Sequence, residues 1–206
     1  MSGDLIVPDA AQGVVVFAHG SGSGRHSPRN RYVAGALNDA GLATLLFDLL
    51  TPEEEANRAN VFDIGLLAER LLARTAWLRR RPEVEGLPIG YFGASTGAAA
   101  ALWAAAEPGN RISAIVSRGG RPDLAGPRLA AVSAPTVLIV GSRDPVVVEL
   151  NEGAQQRLRG DSRMTVVPGA THLFEEPGAL DAVAEHATAW FTTHFAAPRK
   201  ESWMHT

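Results

Sequence analysis

Hydrophobic and polar residues alternate along this chain in two kinds of segment. Short runs of branched apolar residues, such as 14–18 and 43–47, are typical of strands that are buried on both faces of a sheet. The stretches between these runs carry apolar residues every three or four positions, which is the period of an amphipathic helix. This alternation of strand and helix predicts an α/β fold with an open, mostly parallel sheet, right-handed crossovers and helices on both faces.

The individual elements follow from the same pattern. The predicted strands are short and mostly apolar, and they cover 14–18, 43–47, 88–92, 113–116, 136–140 and 164–167. The predicted helices have a helical apolar period or are rich in alanine, and they cover 28–40, 63–80, 98–106, 151–158 and 177–195. Ligands of open parallel sheets bind beyond the carboxyl ends of the strands, so the residues that directly follow each strand are the candidates for chemistry.

The composition limits the class of protein. With 206 residues, of which 46% are hydrophobic and 20% charged, the chain is expected to form one domain over 1–206, with a loosely ordered tail at 196–206. The formal net charge of −3 and the scattered arginines do not favour a nucleic-acid partner. The lack of cysteine excludes disulfides, thiolate metal sites and cysteine nucleophiles. No signal-peptide pattern or membrane-spanning run is seen, so a cytoplasmic location away from membranes is expected.

One motif lies between the third predicted strand and the alanine-rich helix. The residues Gly93-Ala94-Ser95-Thr96-Gly97 form G-x-S-x-G, which in this position is the pattern of a nucleophile elbow. Such a turn strains the serine backbone and brings strand and helix so close that the flanking residues must be small. The N–H of Thr96, at the start of the helix, would stabilise an oxyanion. The alternative is a glycine-bounded turn with an idle serine, and the strand-to-helix context favours the nucleophile.

A serine hydroxyl becomes a good nucleophile only when a base takes its proton. His172 lies after the serine, in the loop between the last predicted strand and the last predicted helix, and is the predicted base. Asp144, beyond the strand 136–140, is the predicted acid that orients His172, and Asp123 is the alternative acid. A loop histidine at a helix start and a turn aspartate before proline are the structural alternatives for these two residues. The remaining histidines precede the serine or lie in the last helix or tail: His19, His26, His186, His194 and His205.

A glycine-rich loop follows the first predicted strand. The residues 19–24 do not match the G-x-G-x-x-G or G-x-x-x-x-G-K patterns of phosphate-binding loops. We therefore expect this loop to supply the second half of an oxyanion hole, through the backbone N–H of Ser21 or Gly22. A flexible loop without a catalytic role is the alternative.

These residues together resemble the α/β-hydrolase superfamily, and specifically its small dienelactone-hydrolase-like branch. The resemblance rests on His19-Gly20, the G-x-S-x-G motif, Asp144 and His172, and it covers about Leu5 to Phe195. It implies the α/β-hydrolase fold without a large cap domain. Dienelactone hydrolases proper use a cysteine nucleophile, whereas this chain has Ser95 at that position. The expected activity is therefore that of a serine carboxylesterase.

The resulting functional prediction is a serine hydrolase that cleaves a carboxylic ester or lactone through an acyl-enzyme on Ser95, without metal or organic cofactor. A non-catalytic member of the fold that binds a small ligand, and a perhydrolase or haloperoxidase-like enzyme, are the alternatives. The expected partner is a small-molecule ester or lactone, and a homodimer is compatible with the sequence.

Gly22, Arg118 and Arg121 are the candidates for substrate binding, since a guanidinium beyond a strand end could clamp a carboxylate. Other arginines share that placement, and pairing with local acids is the alternative for all of them: Arg25, Arg29, Arg31 and Arg143.

Overall fold

A computed structural model describes residues 2–196 of the chain. Its core is one seven-stranded sheet, in which the strands lie in the order β1-β3-β2-β4-β5-β6-β7. Only the β1–β3 pair among these strands is antiparallel, and the other neighbouring pairs are parallel. The strands are β1 (Gly3–Ile6), β2 (Val14–Ala18), β3 (Ala43–Phe47), β4 (Ile89–Ala94), β5 (Ala114–Arg118), β6 (Thr136–Gly141) and β7 (Ser162–Val167).

Helices cover both faces of the sheet. One hydrophobic core forms between the sheet and helices α4 and α5, and the other between the sheet and helices α1 and α7. Two 3-10 segments, Pro82–Val84 and Pro122–Ala131, accompany the α-helices. The α-helices of the described residues are α1 (Pro28–Asp39), α2 (Pro52–Glu55), α3 (Arg58–Phe62), α4 (Ile64–Leu78), α5 (Thr96–Ala105), α6 (Pro145–Gln155) and α7 (Ala179–Phe195).

The central strands are buried because nearly all their side chains are apolar. Every residue of β2, β3 and β4 is buried, as expected for parallel strands that are covered on both faces. Helix α5 is also almost wholly buried, since its run of alanines has no bulk to keep it away from the sheet. This close approach fixes the position of the residue between β4 and α5, where the candidate nucleophile lies.

The structure confirms the predicted open, mostly parallel sheet with helices on both faces, and a large cap domain is not present among the described residues. Among the strands and α-helices of the described residues, three were not predicted: β1, α2 and α3. Strand β1 has only four residues and mostly exposed side chains, so it lacks an apolar pattern. The helix predicted at 151–158 in fact begins at Pro145, because proline is favoured in the first turn of a helix.

Two further expectations concern the whole chain. No helix among residues 2–196 is both long enough and apolar enough to cross a membrane. The tail expected at 196–206 lies outside the described residues from position 197 onward. The single domain over 1–206 and the cytoplasmic location stay predictions.

Candidate active site

Ser95 occupies a strained turn between β4 and α5. Its φ of 50° and ψ of −120° lie in a region that residues with a side chain rarely adopt. The turn is possible because its neighbours are glycines: a Cβ atom on Gly93 would lie 2.4 Å from Ala98 Cα, and one on Gly97 would lie 2.0 Å from Ala18 O. Both contacts are too short for any other residue. The motif therefore has the geometry of a nucleophile elbow.

His172 and Asp144 form a hydrogen-bonded pair. The distance from His172 Nδ1 to Asp144 Oδ2 is 2.8 Å, which places the proton on Nδ1 when the ring donates to the carboxylate. Nε2 is then the basic nitrogen. The alternative acid, Asp123, is instead held by Arg121 through two hydrogen bonds of 2.9 and 2.8 Å. The structure thus pairs His172 with the acid that the sequence favoured.

The turn at 118–121 contacts both Ser95 and His172. The backbone N–H of Ser95 donates to Arg118 O at 3.3 Å, and the N–H of Arg121 donates to Ser95 O at 3.1 Å. Gly119, inside this turn, packs on His172: a Cβ on Gly119 would lie 3.0 Å from His172 O and 3.5 Å from His172 Nδ1. Neither the Ser95 hydroxyl nor His172 Nε2 has a hydrogen-bond partner among the described residues. In particular, the two groups are not hydrogen-bonded to each other in this structure.

Three backbone amides in the segments next to Ser95 are unpaired. The N–H groups of Ser21, Gly22 and Thr96 donate to no acceptor among residues 2–196. The loop that carries the first two contacts the nucleophile directly, since a Cβ on Gly20 would lie 2.9 Å from Ser95 Cβ. Unpaired donors that converge near a nucleophile are what an oxyanion hole requires.

His19 anchors this loop. The His19 ring is buried, its Nδ1 donates to Gly20 O at 3.1 Å, and its Nε2 accepts from the Leu49 N–H at 2.9 Å. The second bond requires an unprotonated Nε2, so the ring must be neutral. Burial lowers the pKa of His19, and the hydrogen bond to Gly20 and the nearby charges of Asp48 and Glu55 oppose this effect only in part. His19 therefore ties the end of β2 to the residues that follow β3.

Three of the arginines near the strand ends are neutralised by acids. Arg25 contacts Asp48 at 3.0 Å, Arg29 contacts Glu175 at 2.8 Å, and Arg121 contacts Asp123 as described above. Arg118 differs from them, because it is only 7% exposed and has no carboxylate within ion-pair distance among the described residues.

The surroundings of Arg118 lower its affinity for a proton. Its nearest polar contact is Asn30 Oδ1 at 3.5 Å, and its guanidinium lies 5.9 Å from the centre of the Phe174 ring. Burial, with a smaller contribution from the charge of Arg29, lowers the pKa of Arg118 to about 10. The guanidinium is still charged at neutral pH, and Arg118 is the first residue of the turn that holds Ser95.

Sequence patterns alone did not identify three supporting residues. Asn30 on α1 and Phe174 contact Arg118 from elements distant in the chain, and Phe174 itself has a positive φ of 56°. Asn151 on α6 is buried and donates to Gly120 O at 3.0 Å, which supports the turn against Ser95. No local motif marks these residues, and the signal for Asn151 is only a polar residue on the buried face of a helix.

A separate cleft of about 770 Å³ lies at the opposite edge of the sheet, near the start of β4. It is lined by Ser113 and His194 among others, but no hydrogen bond joins these two side chains, and the His194 ring packs against Trp190 with 4.3 Å between ring centres. Among residues 2–196 no group of three His, Cys, Asp or Glu side chains is arranged to hold a metal ion. The hydrogen-bonded pair of His172 and Asp144 lies instead at the carboxyl edge.

Comparison with known sequences agrees with this geometry. The chain matches the family model of the alpha/beta hydrolase domain over residues 11–194. It is 64% identical over 198 residues to a putative phosphoribosyl transferase of Mycobacterium tuberculosis, covering 96% of this chain and 45% of that protein. It is also 30% identical over 172 residues to an uncharacterized protein of M. tuberculosis, covering 72% of this chain and 59% of that protein. The chain therefore spans only about half the length of these curated relatives.

Known structures give the same result. A dienelactone hydrolase from Anabaena variabilis is 57% identical to this chain, with a TM-score of 0.90 and coverage of 93% of this chain and 91% of that chain. Est1E from Butyrivibrio proteoclasticus shares the fold at 16% identity, with a TM-score of 0.78 and coverage of 95% and 94%. The chain belongs to the α/β-hydrolase family, and within that family it is dienelactone-hydrolase-like.

Proposed function

We propose that this protein is a serine hydrolase that cleaves a carboxylic ester or lactone through an acyl-enzyme on Ser95. The observation that carries the proposal is the 2.8 Å hydrogen bond between His172 and Asp144, which leaves Nε2 unpaired beside the turn that holds Ser95. A histidine oriented in this way by a carboxylate is the base that activates a serine hydroxyl.

In the first half of the reaction, His172 Nε2 takes the proton of the Ser95 hydroxyl while Oγ attacks the carbonyl carbon of the substrate. Asp144 stabilises the imidazolium that forms and keeps the ring in orientation. The negative charge on the carbonyl oxygen is held by the N–H groups of Thr96 and Ser21, with Gly22 as the neighbouring donor. Collapse of this intermediate breaks the bond to the alcohol oxygen, which leaves with the proton from His172.

In the second half, His172 takes a proton from a water molecule, whose oxygen attacks the acyl carbon. The tetrahedral intermediate collapses, the Ser95 oxygen leaves and recovers its proton from His172, and the acid product is released. A lactone follows the same steps, except that its alcohol stays joined to the acyl group through the ring carbons, so the released product is a single hydroxy acid.

We further propose that Arg118 favours substrates with an acidic group. A buried guanidinium without a carboxylate partner is electrostatically unsatisfied, and a substrate carboxylate would supply the missing charge. Arg121 suits this role less well, because Asp123 already occupies its guanidinium.

The names of two relatives support the proposal to different degrees, because this chain matches different shares of their lengths. The dienelactone hydrolase of A. variabilis matches this chain over 93% of its residues, so its name supports lactone or ester cleavage here. The putative phosphoribosyl transferase is matched over only 45% of its length. That name describes a protein with more than half its residues outside the matched region.

The experiment is labelling with a fluorophosphonate, together with turnover of p-nitrophenyl esters and lactones of varied chain length and charge. We expect labelling of Ser95 and Ser95-dependent hydrolysis, and both should disappear in Ser95→Ala with the fold intact by circular dichroism. Ligand binding without labelling would instead support a non-catalytic role. Peroxide-dependent product formation in excess of hydrolysis would support a perhydrolase or haloperoxidase-like activity.

A further inference from the structure

Asn151 is a polar residue on α6, and its side chain makes two hydrogen bonds. The residue is fully buried, and its Nδ2 group donates to Val147 O at 2.7 Å and to Gly120 O at 3.0 Å. The first bond stays within α6, where it joins a residue to the carbonyl four positions before it. The second bond leaves the helix and ends on the turn at 118–121. Because an apolar residue would fill this position without any need for a partner, the bond to the turn points to a role beyond packing.

The bond to Gly120 O ends one residue away from a backbone contact with the proposed nucleophile. Arg121 follows Gly120 and donates its N–H to Ser95 O at 3.1 Å. Gly120 is buried, and a Cβ atom on it would lie 2.0 Å from Ser117 Oγ, so the turn is closely packed at this point. In the described part of the chain, Asn151 is the only donor to Gly120 O. This side chain is therefore one of the anchors that hold the turn against Ser95.

The helix that carries Asn151 also begins at the proposed acid. Asp144 is the N-cap of α6, and its backbone carbonyl accepts from the Val148 N–H at 3.0 Å. The Asp144 side chain holds His172 Nδ1 at 2.8 Å. Asn151 follows Asp144 by about two turns of the helix, or roughly 10 Å along its axis. One short helical segment thus connects the carboxylate to the turn that contacts Ser95.

We propose that Asn151 is a positioning residue, which sets the placement of Ser95 relative to the pair of Asp144 and His172. This inference rests on the proposed serine hydrolase function. No hydrogen bond among residues 2–196 joins the Asn151 side chain to any of these three residues, so it acts through the turn on one side and through α6 on the other. Without the amide, Gly120 O is left unpaired in buried surroundings, and the turn must shift to recover a partner. A displacement of about 1 Å between reacting groups can reduce the rate by about 100-fold.

The test removes the bond to Gly120 O in two ways. Asn151→Leu has a side chain of similar size without a donor, whereas Asn151→Ser keeps a hydroxyl that can bond Val147 O within the helix but is too short to reach Gly120 O. We expect both variants to lose about 10- to 100-fold in kcat. KM should stay within about twofold of the wild type, because the substrate still binds and only the geometry of attack changes. The rate constant for labelling of Ser95 by a fluorophosphonate should fall with kcat, whereas a side chain with only a structural role would lower the unfolding temperature alone.

Thr75→Val is the matched control, because Thr75 on α4 is also a buried polar residue that bonds the carbonyl four positions before it. Its Oγ1 donates to Leu71 O at 2.8 Å and lies 2.8 Å from the Tyr91 hydroxyl, and neither contact involves the turn at 118–121. Loss of a buried hydrogen bond should lower the unfolding temperature in all three variants, but kcat of Thr75→Val should stay within about twofold of the wild type.

Circular dichroism identifies the variants that fold, and Asn151→Ser alone decides the matter if Asn151→Leu does not. Wild-type kcat and labelling rate in a folded Asn151 variant, with either substitution, would overturn this inference alone. Absence of labelling and turnover in the wild type would overturn the proposed function, and this inference with it.

Discussion

Gly20 and Ser95 pack directly against each other, so that a Cβ atom on Gly20 would lie 2.9 Å from Ser95 Cβ and 3.0 Å from Ala94 O. This contact joins the loop after β2 to the elbow after β4, and β2 and β4 are neighbours in the sheet. The parallel pairing thus brings the proposed nucleophile and the loop of the proposed second oxyanion donor into contact. Neither loop could move away from the other without opening the proposed oxyanion hole.

Gly20→Ala should therefore reduce hydrolysis. The added methyl meets backbone and Cβ atoms that cannot turn aside, so the loop must shift and carry the Ser21 N–H with it. We expect a fall in kcat/KM of about 100-fold, comparable to the loss of an oxyanion donor, and a lower unfolding temperature. The control is Gly35→Ala in α1, where the new Cβ meets no atom within 4 Å, and which should keep activity and gain stability. Equal activity in the two variants would contradict the role given to Gly20.

The pairing of His172 with Asp144 predicts a large effect of Asp144→Asn. The amide cannot stabilise the imidazolium and favours the wrong ring tautomer, so kcat should fall by about 10³- to 10⁴-fold. Steady-state kinetics with one reactive ester measures the effect, and circular dichroism checks the fold. Asp123→Asn is the comparison, since Asp123 holds Arg121 instead of the histidine, and it should change kcat little. A greater loss in Asp123→Asn than in Asp144→Asn would reverse the assignment of the acid.

The sequence predicted the central sheet, and it predicted that Ser95, Asp144 and His172 lie beyond strand ends, because both depend on local pattern and chain order. Buried parallel strands are continuous apolar runs, and the elbow requires Gly93 and Gly97 beside Ser95. Strand β1 could not be predicted, because its place depends on pairing with β3 and its own side chains are mostly exposed.

The environment of the arginines was likewise not predictable from sequence. Arg118 and Arg121 both follow β5, and nothing in their spacing distinguishes a buried guanidinium from one held by an acid. The difference arises because Asp123 is within reach of Arg121, whereas Asn30 and Phe174, from distant parts of the chain, enclose Arg118. Burial of this kind is a property of the packed fold.

The lowered pKa of His19 predicts that the folded protein is less stable at acid pH. Burial lowers its pKa below the ordinary value of 6.5, so the folded protein binds this proton less readily than the unfolded chain. The contribution of the neutral His19 to the free energy of unfolding is complete above pH 6.5. It is lost as the pH drops through that value toward the lower pKa of the folded state. His194, whose pKa is also lowered by burial, acts in the same direction. Urea unfolding at a series of pH values measures the effect.

His19→Gln separates the contribution of this histidine from that of other groups. A glutamine can accept a hydrogen bond from Leu49 N–H but does not titrate, so the free energy of unfolding should depend less on pH between about 5 and 7. His194→Gln serves as the comparison at a histidine remote from the oxyanion loop. An unchanged pH dependence in His19→Gln would show that the buried ring does not control acid stability.

Arg118→Met tests whether the buried guanidinium selects acidic substrates. Methionine keeps an apolar stem of similar length, so it removes the charge with little loss of packing against Phe174. The ratio of kcat/KM for an acidic ester to that for a neutral ester of equal size should fall at least about tenfold, the loss of one charge-assisted hydrogen bond. The unfolding temperature should stay the same or rise, because a buried charge without a carboxylate partner is removed.

Arg121→Met is the matched control and should leave the ratio unchanged, since Asp123 already neutralises Arg121. Equal losses on both esters in Arg118→Met would assign the residue to the support of the Ser95 turn instead of to substrate choice.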